Sequence, residues 1–246
     1  MKTRVKNILL HIPHAGTEFC ATQKEHATEL LRNAKVLIDY YTDELFAPNV
    51  NNERIIPIVF PFCRTVCDVE RMIDDPLEEK NLGIQYDMHS DKPKHGFFCV
   101  NGQEYCPTNS IEKYIKHHHL VENTIYEKGI ELLIDCHSFS SHPTALMQDT
   151  QAAQAYDICI GFNEDRTRPR PEILQTAIEH FEECGYKVGI NTPFSNSKTF
   201  NTPCHYASFM IEVNKRLYMD QNTLEKGEGF NRLHLQIQAL YRKLLG

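Results

Sequence analysis

The chain has no long apolar run, no excess of basic residues and no regular spacing of cysteines. None of its apolar stretches approaches the roughly 20 residues that cross a bilayer, so a membrane span is not expected. Basic residues number 26 against 33 acidic ones, a formal net charge of −7, and they form no long runs. Nucleic acid and anionic membrane both call for a concentrated basic face, so neither is expected as the main partner. The nine cysteines are an odd count. Cys63 and Cys67 are four apart and Cys99 and Cys106 seven apart. Neither pair makes a CxxC, which argues against a zinc knuckle. The cysteines read as reduced, buried small hydrophobes of a cytoplasmic protein. The basic start, Met1 to Lys6, leads into Ile8-Leu9-Leu10. That stretch is too short for a signal-peptide core and lacks a small-residue cleavage site, so it reads as a first strand. Repeats, low-complexity tracts and linkers are also missing. With 246 residues, 41% hydrophobic and 24% charged, one globular domain over 1–246 is the simplest account.

What is present begins with two histidines, each at the end of an apolar run. Ile8-Leu9-Leu10-His11-Ile12-Pro13 leads into His14-Ala15-Gly16. Leu132-Leu133-Ile134-Asp135-Cys136 leads into His137-Ser138. Short apolar runs bounded by turn residues read as buried strands of a parallel sheet, and ligands collect at the carboxyl ends of such strands. The remaining pattern alternates strands with helices. Helices are expected over 22–33, 36–46, 110–127, 171–184 and at the C-terminus, where Leu233, Ile237, Leu240 and Leu244 form an apolar stripe. Strands are expected at 55–60, 96–100, 156–161, 186–190 and 208–213, with Pro57 marking an edge or bulge. This order predicts an α/β, three-layer sandwich with a mainly parallel mixed sheet.

Two imidazoles brought to one sheet edge suit a single-metal site with an open position for water. A third ligand is needed. Glu18 lies four residues beyond His14, and Asp39 lies on the 36–46 stretch with Asp43 one helical turn away. Either acid can serve, with Asp43 supporting the ligand sphere. An isolated Asp39/Asp43 pair would otherwise be a solvated helix face. Asp135 precedes His137 by two, so in a strand both point to one face. It either holds the imidazole's other nitrogen or is a buried acid satisfied by backbone donors. Glu212 sits in Phe209-Met210-Ile211-Glu212-Val213. A carboxylate in an apolar strand is costly unless paired or functional. It is a natural general base, or else an ion-pair partner of Arg216 or Lys215. Arg64 and Arg71 flank Asp68 and suit bidentate capture of a carboxylate. His11 is expected to be buried without being a ligand. His117-His118-His119 reads as polar surface, since adjacent helix positions do not converge.

Taken in order, Pro13-His14-Ala15-Gly16, Asp39, Arg64 through Arg71, Ile134-Asp135-Cys136-His137-Ser138, Asn191-Thr192-Pro193-Phe194-Ser195 and Met210-Ile211-Glu212-Val213-Asn214 resemble the N-formylglutamate amidohydrolase family. The His-Ser pair and the late glutamate also look like the wider zinc exopeptidase group, with its carboxypeptidases and aspartoacylases. The resemblance implies a phosphorylase/hydrolase-like fold and a Zn2+ or other divalent ion held by His14, an acid and His137. It favours Asp39 over Glu18 and makes Glu212 the base. It implies substrate contacts in the Arg64/Arg71 segment, with Arg64 beside the oxyanion and Arg216, Ser138 and Asn191 as further contacts. The activity it implies is hydrolysis of an N-acyl amino acid, N-formylglutamate foremost, in amino-acid catabolism. Two rival readings are a zinc peptidase or peptidoglycan-type amidase, and a non-catalytic binding protein on the same fold.

Overall fold

The computed structural model describes residues 4–49, 52–72, 99–100, 103–104, 109–141 and 150–246. Its backbone contacts divide the chain into two compact units. One comprises Met1–Ile12, Tyr41–Ile58 and Val121–Gly246, the other Pro13–Tyr40 and Val59–Leu120.

The first unit is built on a six-stranded sheet. Its strands are β1 (Ile8–Ile12), β2 (Ile55–Val59), β5 (Leu132–Phe139), β6 (Ile158–Gly161), β7 (Val188–Ile190) and β8 (Ala207–Asn214), in the order β2-β1-β5-β8-β6-β7. β1 with β5, β5 with β8 and β6 with β7 are parallel, whereas β6 runs antiparallel to β8. The mainly parallel mixed sheet expected from the sequence is therefore present, and Pro57 sits on an edge strand, where a missing N–H is tolerated. Every residue of β1 and β5 is buried, as the uninterrupted apolar runs require of strands covered on both faces.

Helices supply the covering layers. On one face Leu9, Leu133, Ile58, Phe200 and Tyr206 pack with Val121, Ile125 and Ile130, the first two of these being on α3 (Ser110–Glu127). On the other, Tyr241 of α6 (Gly229–Leu245) is fully buried near Cys136, an even-numbered position of β5. The predicted stripe Leu233, Ile237, Leu240 and Leu244 is buried along α6. α5 (Pro171–Glu183) begins at its proline and ends before Gly185, whose φ of +90° terminates the helix. A short helix α4 (Thr150–Ala155), not expected from the sequence, precedes β6.

In the second unit, a 3₁₀ turn (Ala21–His26) leads into α1 (Ala27–Ala34). The helix expected over 36–46 is a correction. Residues 38 and 39 are non-helical, and Tyr41 takes a φ of 65° before α2 (Thr42–Phe46) starts. The Asp39 amide bonds to the carbonyl of His14 at 3.0 Å instead of to a helical partner. Asp39 and Asp43 therefore share no helix face, and Asp43 is exposed. The surface reading of His117-His118-His119 holds for exposed His119 and is corrected for the other two. His117 is buried edge-on against Phe60, and His118 donates to the carbonyl of Val69 at 2.9 Å. A small hairpin pairs β3 (Cys99–Val100) with β4 (Gln103–Glu104). Most of the strand expected over 96–100 lies outside the described residues.

Candidate functional site

Each unit carries a histidine–carboxylate cluster. In the second unit, the turn after β1 holds His14. Gly16 makes this turn possible, because a Cβ there would lie 2.4–2.5 Å from backbone atoms of Phe60 and Pro61. Close backbone approach of this kind is what glycine alone permits. His14 Nε2 donates to Asp68 Oδ1 at 2.9 Å, and its Nδ1 faces Asp39 Oδ2 at 3.6 Å. Both His14 and Asp39 are buried. The bond to Asp68 engages Nε2, and Nδ1 is the nitrogen on the Asp39 side. Glu18 is exposed, and its backbone is tied to Pro61 and Cys63. The acid beside His14 is thus Asp39.

Asp68 is the residue whose role the sequence did not reveal. It is fully buried and also accepts from Arg64 Nη2 at 2.7 Å, Arg64 Nε at 3.2 Å and the Glu70 amide at 3.1 Å. Arg71 Nε lies 3.5 Å away. Burial alone would raise the Asp68 carboxyl, but the Arg64, His14 and Arg71 charges outweigh it and hold the group well below the usual carboxylate range. The arginines flanking Asp68 were the visible signal, since a fully buried carboxylate between two cations needs further partners. Arg64 is consequently spent on Asp68 and on the Leu37 carbonyl at 3.4 Å.

In the first unit, Asp135 of β5 is fully buried and is shared by two histidines. His11 Nδ1 donates to its Oδ1 at 2.8 Å, and His137 Nε2 lies 3.2 Å from the same oxygen. The Lys198 amide donates to Oδ2 at 2.8 Å. Against the cost of burial, the two imidazoles hold the Asp135 carboxyl well below its ordinary range. Of the two alternatives for Asp135, the backbone donor is present in the Lys198 amide, while His137 stands at ion-pair distance and the hydrogen-bonded imidazole is His11. Glu212 of β8 stands beside His137 in register, with Cys159 of β6 on its other side. Side chains at matched positions share a face, so Asp135, His137 and Glu212 point the same way. Burial pushes the Cys159 thiol up to about 12, and the neighbouring Glu212 charge adds to that shift.

Three expected substrate contacts lie elsewhere. Arg216 pairs with Asp157 at 2.8 Å and donates to the carbonyls of Gln154 and Tyr156, which also removes it as the partner of Glu212. Asn191 uses its side-chain oxygen to accept from the Phe162 amide at 2.8 Å. Ser138 is buried, but strand alternation turns it to the face opposite His137. Ser138 and Arg216 share a reason. Proximity in sequence to a site residue does not fix which way a side chain points.

The fold and its histidine–carboxylate clusters define an α/β protein similar to two solved structures. One is titled N-formylglutamate amidohydrolase from Ralstonia eutropha JMP134, with a TM-score of 0.70 and 19% identity over 97% of this chain and 93% of that one. The other is a gene product of Agrobacterium tumefaciens, with a TM-score of 0.59 and 14% identity over 98% and 92%. No curated protein matches. Residues 6–219 match the model of the N-formylglutamate amidohydrolase family, and the chain belongs to that family.

Proposed function

We propose that this protein is a metal-dependent amidohydrolase acting on N-acyl amino acids, foremost N-formylglutamate, which it cleaves to formate and glutamate. We further propose that residues 1–246 act as one amidohydrolase domain, a reading supported by the family match across 6–219. His14, Asp39 and His137 are the proposed ligands. The observation that carries the reading is the geometry of His14. Two ligands about 2.0–2.2 Å from a tetrahedral zinc stand about 3.4 Å apart, and His14 Nδ1 is 3.6 Å from Asp39 Oδ2. The opposite nitrogen is tied to a buried carboxylate, the usual support for a metal-binding imidazole. Two imidazoles and a carboxylate are a donor set that suits zinc.

When bound, the ion supplies Lewis acidity and a lowered pKa for water. The remaining work falls to the chain. Glu212, buried beside His137, accepts the proton of the attacking water and delivers it to the departing amide nitrogen. Arg71, a quarter exposed, takes a substrate carboxylate through its guanidinium fork. Arg64 keeps Asp68, and through it His14, in place.

Metal analysis combined with a screen of N-acyl amino acids tests the reading. The expected result is about one divalent ion per chain, with activity lost on chelation and restored by zinc. Asp39→Ala should lose the metal and Glu18→Ala should keep it. An active wild type without metal would overturn the proposal.

A further inference from the structure

A histidine in the middle of a fully buried strand calls for an explanation. His11 interrupts Ile8-Leu9-Leu10-His11-Ile12, and its side chain is 0% exposed. One edge of its ring meets Phe200 at 5.1 Å, nearly perpendicular. Among the apolar neighbours of such a strand, an imidazole loses hydration and recovers it only through a strong partner. That partner is Asp135, directly opposite in the β1–β5 register and also 0% exposed. A buried pair of this kind often does no more than stabilise a fold. Here the oxygen that accepts from His11 is also the one 3.2 Å from His137. Asp135 is thus clamped by His11 on one oxygen and by the Lys198 amide on the other, which fixes its carboxylate plane where His137 meets it.

We infer that His11 is a positioning residue that acts through Asp135 to orient the His137 imidazole. The inference rests on the reading of His137 as a metal ligand. Without the His11 donor, the carboxylate keeps only the Lys198 amide as a fixed clamp and can turn about its side-chain bond. His137 then loses the fixed carboxylate that orients it. Losing an outer partner of a metal-binding imidazole typically costs about 10- to 100-fold in metal affinity.

The choice of substitution separates this role from packing. Asn places an amide where the Nδ1 of histidine sits, whereas Gln is as polar but carries its amide one bond too far. Phe keeps the ring and removes the donor. Zinc affinity is measured by chelator competition on the full-length wild type, His11→Asn, His11→Gln and His11→Phe. Long-range proton–nitrogen spectra of the metal-free proteins report the surroundings of the His137 ring. The expected result is a loss of about 10- to 100-fold for Gln and Phe, with shifted His137 ring signals, and near wild-type values for Asn. Should Phe fail to fold, the contrast between Gln and Asn carries the test. Gln and Asn variants that bind zinc like the wild type, with lowered melting temperatures alone, would overturn the inference. A wild type that binds no zinc would instead overturn the functional reading on which it stands.

Discussion

At the scale of residues, the two buried carboxylates Asp68 and Asp135 set both the imidazole geometry and the acid sensitivity of the protein. In the folded protein the surrounding cations and imidazoles hold each carboxyl below the ordinary aspartate value of 3.8. A depressed carboxyl stabilises the fold at pH values above its unfolded pKa, and that contribution is lost as pH falls toward the folded value. Urea unfolding at a series of pH values should therefore show stability declining below about pH 4, because the unfolded chain takes up protons first. Asp68→Asn should flatten this slope, and an unchanged slope would mean that Asp68 is not ionised in the folded protein. Glu212 makes a different prediction. Glu212→Gln preserves size and most hydrogen bonding but cannot accept a proton. It should retain metal while kcat falls by roughly two to four orders of magnitude, the range for general acid–base catalysis. A variant that instead unfolds would mark Glu212 as structural.

At the scale of elements, the turn between β1 and α1 carries the most weight. Its tightest point is Gly16, over which the Phe60 and Pro61 backbone passes. Adding one methyl there cannot be absorbed by a side-chain rotation, since the obstructing atoms are backbone. Gly16→Ala should cost about 1–3 kcal/mol, the usual penalty of overpacking. Because His14 lies two residues away, zinc affinity should fall along with the melting temperature. A variant that loses stability but binds zinc normally would show that the turn relaxes without moving His14. β5 is the other decisive element. One strand brings Asp135 and His137 to the same face and carries the register that sets His11 and Glu212 beside them.

At the scale of the whole molecule, charge and substrate must agree. If the proposed dicarboxylate substrate is right, a protein of net charge −7 needs a local cation to offset its overall repulsion, and Arg71 is the proposed one. Arg71→Ala should raise KM for N-formylglutamate by one to two orders of magnitude, the equivalent of roughly 1.5–3 kcal/mol for a charge-assisted hydrogen bond. Neutral N-formylleucine should be nearly unaffected. Equal wild-type activity on the two substrates would remove the charge-recognition argument. No helix among the described residues is long and apolar enough to cross a membrane.

Much of this was legible in the linear chain. The periods of 2 and 3.6 and the punctuating Pro171 and Gly185 gave α3 to the residue and placed the strands and the remaining long helices within a few positions. These signals are local, because they arise from the backbone's own geometry and from which faces avoid water. The apolar runs also marked His14, His137 and Glu212 as misplaced polar groups. Other features were decided only in three dimensions. Asp39 left its helix because its amide found the His14 carbonyl. Asp68 meets His14 from 54 residues away, and Asp135 meets His11 from 124. The antiparallel direction of β6 depends on how the chain returns to the sheet. Such partners are chosen by strand register and loop path, which bring distant groups within 3 Å and leave no periodic trace in the residues themselves.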